Sequence, residues 1–224
     1  MNFKDTFSIE KLFNLNETIA RDIFKGAEFP WEVLSKIEEF IINLGKSLPN
    51  DKFTQYGENV WIAKNAKVSA TASLTGPLII DENAEIRHCA FIRKNAIVGK
   101  NVVVGNSTEL KNVILFNSVQ VPHYNYVGDS ILGYKAHMGA GSITSNVKST
   151  REKVTIKFNN EKIETGLKKF GAMLGDNVEI GCNTVLNPGT IIGKNSIVYP
   201  LQSVRGTVNE NCIYKNNLQI IAKR

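Results

Sequence analysis

The feature that most constrains the fold is a series of apolar residues spaced six positions apart. The first series comprises Ile62, Val68, Leu74, Ile80, Ile86, Ile92, Val98, Val104 and Leu110, and the second comprises Leu174, Ile180, Leu186, Ile192, Val198 and Val204. Neither an α-helix, with about 3.6 residues per turn, nor an alternating strand repeats every six residues. The spacing predicts a hexapeptide repeat in which three short strands form each triangular coil. Residues 18 apart would then stack, with coils about 4.8 Å from one another.

Small residues at fixed places within the hexads support this interpretation. The position four residues after the apolar one is mostly small, as in Ala66, Ala72, Ala84, Ala90 and Ala96. Glycine directly follows the apolar residue at five places, which are Gly99, Gly105, Gly175, Gly181 and Gly193. A side chain at these corners would not fit where the chain turns, so glycine is expected there.

Composition limits the class of protein. The chain has 224 residues, which is long enough to bury a core. Hydrophobic residues make up 42% of it, and the mean hydropathy is -0.14. The sequence has no apolar run of about 18 residues, so it predicts no membrane span. The N-terminal MNFKDTFSIEK lacks the pattern of a signal peptide. Cys89, Cys182 and Cys212 lack CxxC spacing, so we expect buried, reduced thiols in a cytoplasmic protein.

The positive charge has a local source. The net charge is +6 with a pI of about 9.1, and residues 146–170 hold seven basic residues against three acidic ones. Nucleic-acid binding is not predicted, because aromatic residues are not interleaved with the basic ones and no nucleic-acid motif is present. A basic loop suits a small phosphorylated ligand or a nucleotide such as coenzyme A, and a solvated loop is the alternative.

The region before the repeats differs from the rest. Residues 1–55 are predicted to form a small α-helical cap, with helices over 31–44, where Gly45 would cap the C-terminus, and over 17–25, where Asn16 would cap the N-terminus. This cap would pack against the end of the coils or against a neighbouring chain, and it could cover the open strand edges of the first coil. Residues 56–210 would form the β-helix domain, and 211–224 a terminal strand or tail.

The repeat is interrupted twice. Leu132 and Met138 are out of phase with Leu110, because 22 residues separate Leu110 from Leu132. This spacing predicts an insertion of about four residues, or a broken corner, around 121–130, where function would tolerate it. Residues 147–170 are a second departure, predicted to contain a hairpin of 154–158 and 161–165 joined by Asn159 and Asn160.

Two kinds of side chain suggest chemistry. Arg93 and Lys111 are 18 residues apart, so they are predicted to stack on one corner, where two cations repel unless an anion lies between them. A phosphate or phosphosugar would fill that role, and two solvated side chains are the alternative. His123 lies at the phase slip near Tyr126, and an imidazole can accept a proton from an attacking amine.

These residues form an array that resembles a known family. Arg93, 109-ELK-111, 122-PHYNYVGDS-130, 139-GAGSITSN-146 and 165-TGLKKFGAMLGDNVEIG-181 are similar to the acetyltransferase domain of bifunctional N-acetylglucosamine-1-phosphate uridyltransferases. They also resemble the C-terminal domain of archaeal sugar-1-phosphate nucleotidyltransferases that acetylate amino-sugar phosphates. The resemblance covers residues 60–208. It implies an all-β fold, a left-handed parallel β-helix, whose handedness departs from the usual right-handed crossover.

The resemblance also implies roles for single residues. His123 would be the general base and Asn146 would act beside it, while Arg93, Lys111, Tyr126, His137 and Lys153 would bind the acceptor. The backbone of Ala140 would face the acetyl thioester, and Cys182 and Pro200 would line a coenzyme A groove between neighbouring subunits of a homotrimer. His137 and Val147 depart from the bacterial pattern, which has asparagine and tyrosine there, so the acceptor is open.

Three functions follow as hypotheses. The first is an acetyl-CoA-dependent N-acetyltransferase acting on an amino-sugar 1-phosphate such as glucosamine 1-phosphate, without a metal and without a nucleotidyltransferase domain in this sequence. The second is a non-catalytic β-helix that binds a phosphosugar or coenzyme A. The third is a zinc hydratase of the γ-carbonic-anhydrase type, which would need His88, His123 and His137 to meet, although their spacing lacks that family's close pair.

Overall fold

The fold was determined as a computed structural model that describes residues 2–159, 161–216 and 219–223. Three α-helices, α1 (Phe3–Phe7), α2 (Ile9–Leu12) and α3 (Ile37–Ser47), and three 3₁₀ helices, Leu15–Glu17, Arg21–Phe24 and Pro30–Ser35, precede the strands. The first twelve strands are β1 (Phe53–Gly57), β2 (Val60–Ala63), β3 (Lys67–Val68), β4 (Ser73–Leu74), β5 (Leu78–Ile80), β6 (Glu85–Ile86), β7 (Phe91–Val98), β8 (Val103–Asn106), β9 (Glu109–Leu115), β10 (Gln120–His123), β11 (Tyr126–Leu132) and β12 (His137–Met138). The others are β13 (Ile143–Thr144), β14 (Thr155–Phe158), β15 (Glu161–Glu164), β16 (Ala172–Leu174), β17 (Glu179–Ile180), β18 (Val185–Leu186), β19 (Thr190–Ile192), β20 (Ile197–Val198), β21 (Ser203–Val204), β22 (Thr207–Val208), β23 (Cys212–Tyr214) and β24 (Ile220–Ala222).

The strands stack in parallel on the three faces of a β-helix, as the hexads predict. Face A consists of β3, β6, β8, β10, β12, β17, β20 and β23. Face B consists of β4, the first halves of β7, β9 and β11, and then β13, β18 and β21. Face C consists of β2, β5, the second halves of β7, β9 and β11, and then β16, β19 and β22. The predicted parallel β-helix is confirmed.

The hexad residues form the interior of the coils. They are buried except for Val68, which is 37% exposed, and Leu74, which is half-buried. Both belong to the first coil, where β3 and β4 pair with a coil on one side. At Gly105 and Gly181, an added Cβ would lie 1.6 Å from Pro122 O and 2.4 Å from Pro200 N. Glycine is therefore needed at these corners because the next coil passes so close.

The phase slip has a different cause from the predicted insertion. Leu110 pairs with Val127, and Leu115 pairs with Leu132, so this coil has 17 residues. The next coil, from Tyr126 to Ile143, also has 17. The 22-residue interval from Leu110 to Leu132 is one such coil plus five residues from face B to face C. The predicted insertion of four residues is therefore wrong. The alternative, a broken corner, is what the structure shows, because the chain drops one residue at the corner between these faces in two successive coils.

The N-terminal segment lies on the flank of the β-helix, over face C. The outer side of this face carries a stacked apolar column of Ile79, Ile97, Ile114, Ile131, Met173 and Ile191, all fully buried. Helix α3 contacts β5, β7 and β9, and the 3₁₀ helix Pro30–Ser35 contacts β11. Covering this column removes a large apolar surface from water, whereas the end of the first coil offers much less. The expected position over the end of the coils is therefore wrong.

Helix ends in this segment also differ from the prediction. Residues 31–44 form a 3₁₀ helix followed by α3, and 17–25 form short 3₁₀ turns without an α-helix. Gly45 lies inside α3, where an added Cβ would be 2.3 Å from the Trp61 ring. It permits contact with that ring and is not a C-cap. Aromatic rings complete the packing, since Phe13 lies 5.1 Å from Phe116 and Trp31 lies 5.8 Å from Phe170 between ring centroids.

The second departure from the repeat is the predicted hairpin. β14 and β15 pair antiparallel, with Ile156 opposite Ile163, while Asn160 of the expected turn lies outside the described residues. Phe158 packs edge-on against Phe3 and Phe7, with ring centroids 5.5 and 5.6 Å away. The inserted loop is therefore anchored to the N-terminal segment.

None of the three cysteines is fully buried. Cys89 and Cys182 are exposed at corner turns, Cys212 is half-buried, and all three are free thiols. The expectation of buried thiols is therefore wrong, most clearly for Cys89 and Cys182, which follow the corner and do not point into the coil. None of the described helices has the length and apolar character to cross a membrane.

The buried carboxyl of Asp81 is expected to destabilise the folded protein at neutral pH. Its side chain is 1% exposed, Oδ1 accepts the Glu82 N–H at 2.7 Å, and Oδ2 has no hydrogen-bond partner among the described residues. Burial raises the pKa of this carboxyl above its ordinary value of 3.8, so the charged form destabilises the folded state at neutral pH. Asp81→Asn is expected to raise the thermal unfolding midpoint at pH 7. As the pH falls towards the ordinary value of 3.8, Asp81 becomes protonated in the folded state and the cost of burying its charge disappears. The gain in unfolding midpoint from Asp81→Asn should therefore disappear over the same pH range. An equal gain at both pH values would contradict this.

Candidate active site

The predicted base and the predicted cofactor-lining residues lie in one column. His123 pairs with Asn106 in the coil below, and the register of faces A and B places Ala140, Cys182 and Pro200 above it in successive coils. Backbone hydrogen bonds connect them, from Gly141 N to His123 O at 3.0 Å and from Asn183 N to Ala140 O at 2.8 Å. This column, at the corner between faces A and B, brings together four residues that are far apart in the sequence.

The backbone around His123 is fixed while its ring is accessible. The His123 N–H donates to Asn125 Oδ1 at 3.2 Å, and the buried Asn125 donates through Nδ2 to Gly139 O and Ser142 O at 2.9 and 3.0 Å. The His123 side chain is exposed. A rigid corner thus presents an imidazole to solvent, which is what a general base needs before substrate binds.

Tyr126 lies on the outer side of face B, next along the chain. Asn146 Nδ2 donates to Tyr126 Oη at 3.2 Å. The phenol lies over Gly128, where an added Cβ would be 2.5 Å from Tyr126 Oη. Burial raises the pKa of Tyr126, and the carboxylates of Asp129 and Glu109 raise it further. The phenol therefore stays protonated at neutral pH and is able to donate a hydrogen bond.

Lys111 is paired with a carboxylate that the sequence did not single out. Its Nζ donates to Asp129 Oδ1 at 2.8 Å and to Oδ2 at 3.0 Å. The side chains are 14% and 5% exposed, so this is a buried ion pair. Asn112 and Asn146 also donate to the Asp129 carboxylate. The Asp of the VGDS segment could have been found from sequence only by asking what neutralises Lys111.

Arg93 and Lys111 do not occupy equivalent positions. The register shifts between Ile92 and Lys94, so that Lys94 pairs with Lys111 and Arg93 is left as the extra residue. Arg93 Nε contacts Glu109 Oε1 at 3.1 Å. The predicted stacking of the two cations is therefore wrong, and the cause is the same one-residue loss that shortens this coil. Each of the two cations has a carboxylate partner.

A cationic cavity of about 450 Å³ nevertheless forms at the corner between faces B and C. The residues that line it are Leu34, Ser35, Glu38, Arg93, Lys94, Asn95, Lys111, Asn112 and Lys169. Four of them are cations and one is the carboxylate of Glu38. Arg93 and Lys111 are paired with Glu109 and Asp129, so the positive charge that attracts anions comes mainly from Lys94 and Lys169. The N-terminal segment supplies one wall, and Asn112 Nδ2 donates to Leu34 O at 3.2 Å across the junction.

The inserted loop contributes Lys169 to this cavity, and Lys153 is not among the lining residues. Phe170 N donates to Asn146 O at 3.0 Å, which closes the neck of the loop and holds Lys169 beside it. Lys153 is exposed in the segment before β14. No periodic signal marks Lys169, because it lies within residues 147–170, where the repeat is interrupted.

His137 is placed apart from the acceptor residues. Its Nδ1 lies 2.8 Å from Glu179 Oε2 on the outer side of face A, whereas Tyr126 and Asn146 belong to face B and its corner. Val147 is 42% exposed and lines a second cleft of about 840 Å³ under the inserted loop, together with Lys148, Lys157 and Arg205. No group of three His, Cys, Asp or Glu side chains within the described ranges is arranged to hold a metal ion.

The stacked coils define a hexapeptide-repeat β-helix, the fold type of the hexapeptide acetyltransferases. Residues 74–197 match the family model described as the GMPPB C-terminal domain, and the chain belongs to that family. The bifunctional protein GlmU of Methanococcus vannielii is 36% identical over 214 residues, which cover 87% of this chain and 48% of that protein. A bifunctional sugar-1-phosphate nucleotidylyltransferase/acetyltransferase of Sulfurisphaera tokodaii is 33% identical over 162 residues, covering 64% of this chain and 40% of that protein.

The chain spans about half the length of the curated relatives it matches. Among solved structures, a variant of AntD, an N-acyltransferase from Bacillus cereus in complex with dTDP and coenzyme A, aligns with 77% of this chain and 91% of its own. The identity is 16% and the TM-score 0.42, so this match adds no evidence about the ligands of this chain.

Proposed function

We propose that this protein is an acetyl-CoA-dependent N-acetyltransferase that acts on an amino-sugar 1-phosphate such as glucosamine 1-phosphate. The observation that carries the proposal is the arrangement along face B. An exposed imidazole stands at one corner, a phenol and an amide lie in the middle, and a cationic cavity lies at the other corner. An acceptor that carries both an amine, for the imidazole, and a phosphate, for the cations, suits this set of groups.

The reaction requires a proton acceptor and a rigid frame. The amine nitrogen attacks the thioester carbonyl, His123 takes the amine proton, the C–S bond breaks, and coenzyme A leaves as the thiol once it has been protonated. The Ala140 N–H, one coil above His123, would donate to the carbonyl oxygen as its charge develops. Arg93, Lys94 and Lys169 would hold the phosphate, since charge-assisted hydrogen bonds to an anion are strong. Positioning of the two reactants accounts for much of the acceleration.

Acetyl-CoA would lie along the column of Ala140, Cys182 and Pro200. These positions carry small or compact side chains at an exposed corner, so an extended thiol arm can pass along them without a cavity in one chain. A corner forms only one wall of a groove, and a second copy of the chain would supply the other. The proposal therefore includes a homotrimer with its active sites between subunits.

We expect the protein to have a mass of about 74 kDa in light scattering at micromolar concentration, three times the chain mass of 24.8 kDa. The physical reason is that a groove shared between chains is complete only in a closed cyclic assembly. A species at the chain mass that still acetylates the acceptor would contradict the shared site.

Coenzyme A release in the presence of acetyl-CoA tests the function itself. The acceptors should include glucosamine 1-phosphate, glucosamine without the phosphate, and N-acetylglucosamine 1-phosphate, which has no free amine. Thiol release with the first only, together with an acetylated product, supports the proposal. Binding of phosphosugar without thiol release would favour the non-catalytic β-helix, and bound zinc with chelator-sensitive carbon dioxide hydration would favour the hydratase.

A further inference from the structure

We propose that Asp129 is a positioning residue that fixes which hydrogen-bonding atoms the site presents to the acceptor. It does so by holding the Asn146 amide in one orientation, which leaves the Tyr126 phenol as a donor and Asn146 Oδ1 as an acceptor towards the ligand. This inference rests on the proposed function for the identity of the ligand, but its geometric part is independent of turnover.

The Asp129 carboxylate is saturated by protein donors. Oδ1 accepts from Lys111 Nζ at 2.8 Å and Asn112 Nδ2 at 3.0 Å, and Oδ2 accepts from Lys111 Nζ at 3.0 Å and Asn146 Nδ2. An ionised carboxylate accepts about four hydrogen bonds in all, so none is left for a ligand. Asp129 is 3% exposed, and its role is therefore exerted through its neighbours.

The orientation of Asn146 follows from the chemistry of its partner. A carboxylate only accepts, so the atom of Asn146 that faces Asp129 must be the nitrogen. The second N–H of that nitrogen donates to Tyr126 Oη at 3.2 Å. Both N–H groups are consumed, and the carbonyl oxygen Oδ1 is the only polar atom left on the side chain.

The orientation of Tyr126 follows in turn. Because its oxygen accepts from Asn146, its own O–H does not point to Asn146 and is available to another acceptor. Gly128 keeps the ring in this place, since any Cβ there would meet Oη at 2.5 Å and Asn146 Nδ2 at 2.9 Å. The surface therefore offers one phenolic donor beside one amide acceptor. A sugar carbon bearing an N–H or O–H donor next to an oxygen acceptor is complementary to this pair.

The test uses Asp129→Asn, Asn146→Asp and the double variant, compared with the wild type. In Asp129→Asn, the new amide cannot accept from Lys111, Asn112 and Asn146 together, so the Asn146 side chain is expected to turn and take the Tyr126 proton. The variant also leaves the buried Lys111 ammonium without its counter-ion, so its unfolding midpoint is measured and its kinetics are taken well below that temperature. We expect kcat/KM for the acceptor to fall about 100-fold, a loss that a misplacement of about 1 Å can cause, with the KM for acetyl-CoA unchanged.

The double variant separates orientation from stability. It restores an amide and a carboxylate that face each other in exchanged places, so the unfolding midpoint should recover towards that of the wild type. The carboxylate that replaces the Asn146 amide only accepts, so Tyr126 must donate to it and loses its free O–H. Low acceptor kcat/KM in a stable double variant supports the proposal. Recovery of activity together with stability would overturn it, because a merely structural role predicts that result.

A readout without turnover completes the test. In the wild type an N–H of Asn146 donates to the Asp129 carboxylate, and a charge-assisted hydrogen bond of this kind moves the amide proton downfield. ¹H–¹⁵N NMR of the side-chain amides, with Asn146→Asp to assign the Asn146 pair, should show that pair at higher field in Asp129→Asn than in the wild type. Unchanged Asn146 amide resonances would overturn the proposal. If the wild type acetylates no acceptor, the proposed function fails, and the amide resonances still decide whether Asp129 holds Asn146.

Discussion

Replacement of His123 by alanine is expected to lower kcat for the amino-sugar acceptor about 10²- to 10⁴-fold, the usual contribution of a general base. The KM for acetyl-CoA should be nearly unchanged, because in the proposed site the ring takes the proton of the acceptor amine while the thioester meets the backbone of Ala140 in the next coil. The unfolding midpoint should also be unchanged, because the His123 side chain is exposed and its backbone hydrogen bonds are kept. Steady-state kinetics and a thermal melt measure all three quantities.

His88→Ala is the matched control. It removes an imidazole from the same corner, one coil below Asn106, whose Nδ2 donates to His88 O at 3.0 Å. Because His88 lies two coils from His123 and three from Ala140, its loss should leave kcat within about twofold of the wild type. Near-full activity in His123→Ala would show that the histidine is structural and that another group takes the proton.

The six-residue spacing predicted the coil, but it could not predict how a coil is shortened. Counting phases treats the interval of 22 residues as one coil of 18 plus four extra, whereas it is one coil of 17 plus the step to the next face. Both interpretations satisfy the same spacing. Only the pairing of Leu110 with Val127 distinguishes them, and that pairing depends on which corner loses a residue.

The sequence contains a signal for the layer that covers face C, but this signal lies at positions that the hexad pattern does not include. Ile79, Ile97 and Ile114 directly precede the inward residues of their strands and stack on the outer side of the face. A strand that is apolar on both sides predicts a covering layer, as in parallel sheets buried on both faces. The aromatic residues Phe116 and Phe170, which lie outside the hexads, pack against Phe13 and Trp31 of that layer.

Asparagine shows a further limit of the periodic pattern. Asn83, Asn101, Asn177 and Asn195 adopt φ values of 57° or 58°, where asparagine is tolerated better than most residues. Some of them join coils directly, as Asn177 Nδ2 donates to Asn195 Oδ1 at 3.1 Å. Corners thus use glycine at the close approach and, most often, asparagine at positive φ.

Single candidate residues could be named from the sequence, but the residues that pair with them could not. Motif residues such as His123 and Tyr126 can be named from spacing, because the local backbone determines where they project. Asp129 and Lys94 could not be, because their importance depends on which residue faces which across coils, and the lost residue at the corner changes that register.

Replacement of Lys169 or Arg93 by alanine is expected to raise the KM for the phosphorylated acceptor about 10- to 100-fold. A charge-assisted hydrogen bond to phosphate contributes about 1.5–3 kcal/mol, and both side chains line the cationic cavity. The KM for acetyl-CoA should stay the same, and the preference for glucosamine 1-phosphate over glucosamine should shrink in parallel. Initial rates over a range of both substrates measure these constants.

Lys153→Ala is the control, because it removes the same charge from the same inserted loop at an exposed position outside the cavity lining. Its acceptor KM should remain within about twofold of the wild type. Lys111→Ala is a poorer probe, because it leaves the buried Asp129 carboxylate without its cation, which costs about 3–5 kcal/mol of stability and confounds the kinetics. If Lys153→Ala raises the acceptor KM and Lys169→Ala does not, the loop presents its other end to the phosphate. If Lys169→Ala and Arg93→Ala instead weaken acetyl-CoA alone, the cavity binds the phosphates of the cofactor, and the two ends of the proposed site are reversed.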